Sequence, residues 1–502
     1  MAKTVYNSLV LATYISSISG QNSFTMAKII GRKEEIAVLK RSLASKEAEL
    51  IAIYGRRRIG KTFLIRNYFE DHIAFELTGM YNGSLQDQLI QFSKAFQKAN
   101  ETSLAFKTPD SWAEAFGALE QLLATKSRRK KWVIFLDEFP WLNSRKSGFL
   151  NAFEHFWNTW ASRQENLIVV ICGSAASWMI KNIVNARGGL HNRITKRIRL
   201  LPFTLSETKE YLASLSVKLD HYQILQLYMA FGGVPHYLNN MERGWSATQA
   251  IEKTCFTRTG ALTDEFSKLY QSLFDNAENH IRTVRTLARS PKGLTRQETI
   301  DACKFSSGGR VTTMLEELEE SGFIESAIPY QKTSKEAIFR LTDEFSLFYL
   351  RFMDGKRPVG REVWSKISNT NTYKVWCGMS FEAICLKHAE QIKKALSIAG
   401  VYSEESPWRF SGSKEESGAQ IDLLIDRDDR TINLCEMKFY TDVFTIDKTY
   451  ALELKRKVRV FNEQTKTRKS IFLTFITTYG LKRNDYATSL VHNDLTMDIL
   501  FD

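Results

Sequence analysis

The chain of 502 residues is longer than one ordinary domain, and its length predicts about three domains. Hydrophobic residues make up 43% of it and aromatic residues 12%, which is enough for packed cores and excludes an intrinsically disordered protein. The formal net charge of +13 is compatible with a nucleic-acid or other polyanionic partner, and equally with a solubilising surface. No apolar run approaches the ~18 residues that a membrane span requires, so we expect no membrane partner.

Cysteine usage and the N-terminal segment both bear on the cellular compartment. The six cysteines are scattered without C-x-x-C pairs, which argues against a disulfide or zinc framework and predicts free thiols in the cytoplasm. Residues 9–15 form a weak apolar stretch that only faintly resembles a signal peptide. A second methionine, Met26, directly precedes the first clear domain. We therefore expect residues 1–25 to be a disordered extension or an over-long start.

Residues 55–62 (Gly-Arg-Arg-Arg-Ile-Gly-Lys-Thr) have the P-loop pattern. A buried strand is predicted at 50–54 and a helix at 63–69, which is the context that this motif requires. The glycines allow backbone N–H groups to surround a phosphate at a helix N-terminus. Lys61 is expected to reach the β- and γ-phosphates of ATP, and Thr62 to hold Mg²⁺. The residues expected to contact the nucleotide are Gly55, Arg56, Arg57, Arg58, Ile59, Gly60, Lys61, Thr62, Phe63 and Ser174.

From Met26 to about Leu205, apolar strands alternate with amphipathic helices, a pattern typical of a parallel α/β sheet. The predicted strands are 50–54, 74–77, 132–136, 167–172 and 197–201, and the predicted helices include 85–100, 111–125 and 149–163. The third strand is followed by Asp137-Glu138, which would lie beside the P-loop. Asp137 is expected to coordinate Mg²⁺, directly or through water, and Glu138 to be the general base or to orient the attacking water for hydrolysis. The alternative is a solvated acidic turn.

Two further residues are candidates for contact with the phosphates. Ser174 follows the fourth strand, where a hydroxyl can touch the γ-phosphate or the attacking water; a small-residue turn is the alternative. A basic loop extends from Lys181 to Arg199, and one of its arginines could stabilise charge in the transition state. We favour Arg193 because a guanidinium fork suits phosphate, whereas a solvated arginine is the alternative.

Several segments, in order, resemble the archaeal-type ATPase family, part of the AAA-like branch of P-loop ATPases and related to the signalling STAND class. Besides the P-loop they are Ile30-Gly31-Arg32-Lys33-Glu34-Glu35, Leu136-Asp137-Glu138-Phe139-Pro140, Gly173-Ser174, Leu190-His191-Asn192-Arg193 and Phe231-Gly232-Gly233-Val234-Pro235-His236-Tyr237-Leu238. The family's arginine segment is Leu-Tyr-Gly-Arg, from which the segment ending at Arg193 departs at two positions. The resemblance covers about Met26 to Leu238.

This resemblance implies an ATPase core at 26–205 and a helical lid at 206–270 that closes over the nucleotide and moves on hydrolysis. Ser206 is predicted to cap the first lid helix. A break at 232–235 is expected within the lid, where two glycines precede Val234 and Pro235.

Residues 271–352 follow a different pattern, with helices at 281–288, 294–303 and 310–321 and strands at 323–326 and 337–341. This order predicts a winged-helix-like domain. Lys304 and Arg310 are candidates for contact with phosphates or base edges. The acids on the last helix argue against a strong DNA surface, so a protein-binding or interdomain spacer is the favoured alternative; they are Glu316, Glu317, Glu319 and Glu320.

Residues 375–502 carry a second group of reactive side chains. Glu382 is predicted near the start of a helix, Asp422 on a strand, and Glu436 and Lys438 on one face of the next strand. A hairpin between these strands can bring Asp422 beside Glu436, and carboxylate oxygens suit Mg²⁺ or Mn²⁺. The metal would activate water and stabilise the scissile phosphate, while Lys438 would lower the pKa of that water or neutralise developing charge. A hairpin with surface charges is the alternative.

The order of these residues resembles the PD-(D/E)xK nuclease family, with Asp422 as the first acid, Glu436-Met437-Lys438 as the Glu-x-Lys motif and Glu382 as the helix acid. Ile421 stands where the family often has proline. The resemblance covers about 376–478 and implies an α/β restriction-endonuclease-like domain. Its metal ligands would be Glu382, Asp422 and Glu436, and its catalytic residues Glu436 and Lys438.

The leading interpretation is an AAA-like ATPase that binds and hydrolyses ATP with Mg²⁺ and is coupled to a DNA-directed nuclease-like module, with Mg²⁺ or Mn²⁺ at the second site. One alternative is a nucleotide-dependent signalling switch or scaffold whose C-terminal domain does not cleave. Another is an ATP-dependent DNA-binding regulator that uses the winged helix. A protein partner or self-association is compatible with all three.

Overall fold

The computed structural model of the protein describes residues 28–101, 106–174, 176–184, 190, 192–274, 277–306, 309–355, 362–412 and 416–502. The expected N-terminal extension at 1–25 lies outside the described residues, as does His191 of the predicted arginine segment.

The N-terminal region is built on a five-stranded parallel sheet, as the alternating pattern predicts. Its strands are β1 (Glu49–Tyr54), β2 (Ile73–Thr78), β3 (Trp132–Asp137), β4 (Leu167–Gly173) and β5 (Lys196–Arg199). Their order across the sheet is β2-β3-β4-β1-β5, so β4 separates β1, which precedes the P-loop, from β3, which ends at the acid pair. Strand β5 ends two residues before the predicted end at 201.

Helices cover both faces of this sheet, because successive side chains of the buried strands point to opposite sides. On β1, Leu50 and Ala52 belong to one apolar cluster, and Ile51 and Ile53 to the other. The helices are α1 (Lys33–Ala44), α2 (Lys61–Tyr68), α3 (Leu85–Ala99), α4 (Trp112–Ala124), α5 (Phe139–Leu142), α6 (Phe149–Thr159) and α7 (Ala176–Met179), the last followed by a π turn at Ile180–Val184. The predicted helix 149–163 ends at Thr159, and its last residues form a 3₁₀ turn.

The lid region is helical, as expected. Its helices are α8 (Leu205–Ser214), α9 (His221–Phe231), α10 (Pro235–Leu238), α11 (Ala247–Cys255) and α12 (Glu265–Leu273). The predicted cap Ser206 is wrong: Thr204 caps α8 through a reciprocal pair of bonds with Glu207, so the helix begins one residue before Ser206. The predicted break is confirmed, since α9 stops at Phe231 and α10 starts at Pro235.

The middle region contains three helices, a small antiparallel sheet and a fourth helix. In chain order these are α13 (Ala277–Ala288), β6 (Leu294–Thr295), α14 (Arg296–Cys303), α15 (Gly309–Glu320), β7 (Ile324–Ala327), β8 (Ile338–Leu341) and α16 (Glu344–Phe352). The sheet order is β6-β8-β7. The sequence places Leu294 in a helix, but it lies on a strand, because Thr295 is the cap from which α14 begins.

The C-terminal region has a five-stranded mixed sheet. In chain order its elements are α17 (Val363–Ile367), α18 (Asn371–Lys387), α19 (Ala389–Ala395), β9 (Ser403–Phe410), β10 (Ala419–Arg427), β11 (Thr431–Lys438), α20 (Lys448–Thr465), β12 (Ser470–Thr477), α21 (Asp485–Leu490) and β13 (Asn493–Thr496). The order is β13-β12-β11-β10-β9, with β9, β10 and β11 antiparallel and β11, β12 and β13 parallel. The register of β10 against β9 shifts between Ile421 and Leu424, which marks a bulge.

One apolar cluster joins the lid, the middle region and the C-terminal sheet. It includes Phe231 of the lid, Phe348 of α16, Trp376 of α18 and Ile476 of β12. These three regions are therefore packed against one another through a shared core. No helix among the described residues is both long and apolar enough to cross a membrane.

Candidate functional site

The P-loop connects β1 to α2, and glycine shapes its backbone. Gly55 has a φ of +145°, and a Cβ there would collide with the carbonyl oxygen of Leu200. The Nζ atom of Lys61 donates to the carbonyl oxygens of Gly55 and Arg56, at 2.8 Å each. Burial lowers the pKa of the Lys61 ammonium group. The loop thus holds a buried cation beside the N-terminus of α2, where a phosphate group binds favourably.

The acids that end β3 lie against this loop. The hydroxyl of Thr62 donates to Asp137 Oδ2 at 2.8 Å, so a hydroxyl and a carboxylate oxygen lie side by side, and both suit Mg²⁺. Glu138 follows with a left-handed backbone, φ +44°. Its Oε2 atom accepts from the backbone N–H of Ser174 at 3.2 Å and from the Ser174 hydroxyl at 2.8 Å. Ser174 therefore positions the Glu138 carboxylate; its contact with phosphate stays a prediction.

A cavity of about 820 Å³ opens beside the loop. It is lined by P-loop residues from Arg57 to Leu64, by Glu138, and by lid residues that the sequence reasoning missed. The lid residues include Tyr211, His236 and Asn239. Burial, and then the charge of Arg58, lower the pKa of His236, which favours its neutral form. The sequence signal that could have identified His236 is the segment 231–238, which resembles the ATPase family.

The side chains of the three loop arginines lie in different surroundings, and contact of all three residues with ATP stays a prediction. Arg57 and Arg58 line the cavity, and Arg58 also pairs with Glu265 of α12. Arg56 is instead fully buried and pairs with Asp343, the cap of α16. Burial alone would lower the pKa of Arg56, but the Asp343 carboxylate raises it above its ordinary value. The Arg56 side chain thus joins the P-loop to the middle region.

Arg193 is not brought to the cavity. It is exposed, its backbone N–H donates to the carbonyl oxygen of Leu190 at 3.1 Å, and it is absent from the described residues that line the cavity. The predicted action of Arg193 on the nucleotide of its own chain therefore has no support in this geometry. The reason is that the chain between β4 and β5 carries Arg193 to the surface.

The second predicted site gathers at one edge of the C-terminal sheet. Lys438 Nζ lies 3.8 Å from Glu436 Oε2 on β11, and Asp422 lies in the bulge of β10. Glu382 and Asp422 line the same cavity. The prediction that Glu382 lies near a helix start is wrong: α18 begins at Asn371, capped by Thr370, so Glu382 lies in its last third.

The charges of these groups influence one another. Burial raises the pKa of Glu382 to about 7, and the Asp422 carboxylate adds to the rise, while Lys438 opposes it. Glu382 is therefore partly protonated near neutral pH. Asp422, Glu436 and Lys438 therefore all influence the charge of Glu382, while the roles of the four residues in metal binding and catalysis stay a prediction.

Basic and polar side chains contact the carboxylates of Glu436 and Asp422. Lys457 of α20 pairs with Glu436, whose Oε2 also accepts from the Tyr450 hydroxyl at 3.2 Å. Arg340 Nη2 lies 4.0 Å from Asp422 Oδ1. Across the part of the chain that the structure describes, no group of three or more histidine, cysteine, aspartate or glutamate side chains is placed to hold a metal ion. The arrangement as it stands is that of paired acids.

Comparison with known protein families identifies the N-terminal part of the chain. Residues 29–241 match the model of a family described as "ATPase domain predominantly from Archaea". The match includes the parallel sheet, the P-loop, the acid pair and the first lid helices. The chain therefore contains an archaeal-type ATPase domain, and this part of the sequence prediction is confirmed.

Longer matches are more distant. An uncharacterized protein of Methanocaldococcus jannaschii is 22% identical over 416 residues, which are 82% of this chain and 87% of that protein. A Walker-type ATPase of Pyrococcus abyssi is similar in structure over 64% of this chain and 96% of that chain, with 19% identity and a TM-score of 0.47. The ORC2 protein of Aeropyrum pernix is similar over 70% of this chain and 98% of that chain, with 14% identity and a TM-score of 0.42.

Proposed function

We propose that the protein hydrolyses ATP and that its nucleotide state controls a DNA-directed, nuclease-like module in its C-terminal region. The observation that carries the first part is the pair of contacts from Thr62 to Asp137 and from Ser174 to Glu138. These contacts support a phosphate-binding loop, a magnesium ligand pair and a general base in one site, under a helical lid.

Each residue of the site would have a separate role in hydrolysis. Lys61 would neutralise charge on the β- and γ-phosphates, and Thr62 with Asp137 would hold Mg²⁺, which when bound compensates further phosphate charge. Glu138 would accept a proton from the attacking water, in the orientation that Ser174 maintains. Lid closure would exclude bulk water from the site.

ATP turnover tests this assignment. The purified protein should release phosphate from ATP in the presence of Mg²⁺, and Lys61→Ala should abolish the release because the phosphates lose their buried cation. Lys46→Ala, which removes an exposed lysine before β1, is the matched control and should leave the rate unchanged. Equal rates for wild type and Lys61→Ala would show that the ATPase assignment is wrong.

The domain division proposed for the chain is an ATPase core at 26–205, a lid at 206–270, a winged-helix-like domain at 271–352 and a nuclease-like domain at 375–502. The order α13-β6-α14-α15-β7-β8 supports the winged-helix assignment. On α15, however, Glu317 bonds His280 and Glu320 lies 3.6 Å from Arg199 of β5. The contact with β5 favours an interdomain role for α15 over a role in reading DNA, whereas the bond to His280 lies within the middle region.

The order α18-β9-β10-β11-α20-β12, with its acids on α18, β10 and β11, supports the nuclease-like assignment. Glu382, Asp422 and Glu436 supply hard oxygen ligands that would hold Mg²⁺ or Mn²⁺ if Lys457 released Glu436. Plasmid DNA incubated with the protein and Mn²⁺ should be cut, and Asp422→Ala should abolish cutting. Cleavage unchanged by Asp422→Ala would remove these residues from the mechanism.

A second candidate function is a nucleotide-dependent switch or DNA-binding regulator whose C-terminal domain binds without cleaving. The ion pair between Lys457 and Glu436 favours it, because this acid is neutralised without a metal. Retarded migration of DNA without cleavage, in wild type and in Lys457→Ala with Mn²⁺, would favour this candidate. Cleavage gained by Lys457→Ala would instead favour a repressed nuclease.

A further inference from the structure

The middle and C-terminal regions enclose a cavity of about 490 Å³, separate from the P-loop cavity. Its walls come from α13, β8, α16, α18 and β10. We propose that this cavity binds one nucleoside phosphate, either as a free nucleotide or as the terminal unit of a single nucleic-acid strand. The cavity shares Glu382 and Asp422 with the proposed nuclease-like site, but this inference does not rest on that function, because such binding requires neither ATP hydrolysis nor DNA cleavage.

Arginine provides the chemistry that recognises the phosphate. Four arginines line the cavity: Arg285 of α13, Arg289 directly after α13, Arg340 of β8 and Arg351 of α16. Arg285 is held by both oxygens of Asp354, one at 2.9 Å. Arg289 and Arg351 are exposed, and no ion pair or side-chain hydrogen bond involves them within the described ranges. Two guanidinium groups are thus available where the cavity meets solvent, and their forked geometry suits a phosphate.

The deeper wall is apolar, and two donors behind it lack a partner. Trp376 is 4% exposed, and its indole N–H is buried without a hydrogen-bond acceptor in the described structure. The Nε atom of Arg340 is also buried without a hydrogen-bond acceptor in the described structure. Both nitrogen atoms are inaccessible to solvent, so they lie behind the surface that a ligand in the cavity would contact. Leu341, Leu350 and Met379 provide apolar surface for a planar ring.

The acids in the cavity set the orientation. Glu382 and Asp422 lie among the lining residues and repel a phosphate, so the phosphate is directed to Arg289 and Arg351. Carboxylate groups accept hydrogen bonds, and the N–H groups of a base can donate them. The volume falls in the range of about 300–1,000 Å³ that small ligands occupy. This fits one nucleotide better than a duplex, which needs an open groove.

Calorimetry on the full-length protein tests the proposal with two probes, deoxyadenosine monophosphate and a 5′-phosphorylated single-stranded tetranucleotide. Arg289→Ala and Arg351→Ala should each weaken binding about tenfold, as expected when a charged hydrogen bond is lost. Arg258→Ala removes an exposed arginine outside the cavity and should have no effect. Lys61→Ala should also leave this binding unchanged, which separates the site from the P-loop.

A blocking variant provides an independent readout. Ala383→Trp on α18 fills the cavity without removing an arginine and should abolish binding of both probes, while an unchanged thermal transition shows that the variant folds. Binding of the monophosphate alone supports a free-nucleotide site, and binding of both probes supports a strand terminus. The proposal is overturned if neither probe binds, if both arginine variants bind as tightly as wild type, or if only Lys61→Ala abolishes binding.

Discussion

Glu138 occupies a left-handed backbone position that non-glycine residues seldom adopt, and this directs its carboxylate to Ser174. Glu138→Gln preserves the shape of the side chain but removes its ability to accept a proton. We expect ATP binding to remain near wild type and hydrolysis to fall by about 10²–10⁴-fold. Binding of a fluorescent ATP analogue and single-turnover phosphate release measure the two effects separately.

Ser174→Ala is the companion variant because it changes the position of Glu138 and not its chemistry. The backbone N–H of Ser174 would still reach Glu138, so we expect about a tenfold loss of hydrolysis, with ATP affinity retained. Ser174→Thr keeps the hydroxyl and should recover most of the rate. A wild-type rate for Ser174→Ala would mean that Ser174 does not position the base.

Glu382 makes stability depend on pH in a direction opposite to that of most acids. Burial, and then Asp422, raise its pKa from 4.5 to about 7, so the folded state binds a proton that the unfolded state releases. Stability from this group is full below pH 4.5 and is lost as the pH rises to about 7. Glu382→Gln should remove this decline and raise the melting temperature at pH 8 by about 1–2 °C. Melting temperatures measured from pH 4 to 8 test it.

The matched control for Glu382 is Glu453→Gln, which changes an exposed glutamate of α20. Its pH profile should follow that of wild type. If Glu382→Gln also follows wild type throughout, then Glu382 ionises in the folded protein as it does in an unfolded chain.

At the residue scale, the sequence predicted the chemistry of the P-loop better than the direction of its side chains. The motif determines a backbone geometry, and that geometry brings Lys61, Thr62 and Asp137 together. The side chain of Arg56 could not be predicted, because its partner Asp343 lies 287 residues further along the chain. The same limit applies to Lys457, whose pairing with Glu436 depends on how α20 crosses the C-terminal sheet.

Among the elements, the junction between the first sheet and the lid is the most constrained. A Cβ on Gly233 would collide with the backbone of Phe203, whose N–H donates to the Gly233 carbonyl at 2.6 Å. The methyl group of Gly233→Ala would push the backbone segments around residues 203 and 233 apart. We therefore expect this variant to lower the free energy of unfolding by about 2–3 kcal/mol. Urea denaturation followed by circular dichroism measures the change.

Gly117→Ala is a control that makes the same substitution at another glycine, and we expect it to raise the free energy of unfolding instead of lowering it. Gly117 lies inside α4, and a Cβ there would meet nothing within 4 Å. Alanine should therefore stabilise the protein by about 0.5–1 kcal/mol. Destabilisation by Gly117→Ala as large as that by Gly233→Ala would refute the steric account of the lid junction.

Long elements with strong periodicity were predicted to within a few residues, whereas short ones were not. The buried strands β1, β3 and β4 were found because they are continuous apolar runs bounded by polar residues. The two-residue strand β6 was placed in a helix because Thr295 and Glu298 form a helix cap directly after it. The start of α18 was missed because polar and apolar residues are poorly separated on this helix, so its sequence shows little amphipathic pattern.

At the scale of the whole molecule, a short segment connects the two candidate sites. Arg340 faces Asp422 of the C-terminal site, and three residues later Asp343 pairs with Arg56 of the P-loop. The next residue, Glu344, bonds Lys387 of α18 at 2.6 Å, on the helix that carries Glu382. Because these contacts are buried or half-buried in one shared core, a shift of the P-loop would be transmitted to the C-terminal acids.

Hydrogen exchange measured by mass spectrometry tests this connection directly. Binding of a non-hydrolysable ATP analogue should slow exchange at the P-loop, and also in β8, in the first turn of α16 and in β10, because the ion pair between Arg56 and Asp343 joins them. Asp343→Asn removes the charge but keeps an acceptor that can cap α16, so it should retain protection at the P-loop and lose about half or more of the distant effect. Asp354→Asn breaks a pair with Arg285 that does not reach the P-loop, and should behave as wild type. Protection confined to residues 28–241 in wild type would mean that nucleotide binding is not transmitted through this segment.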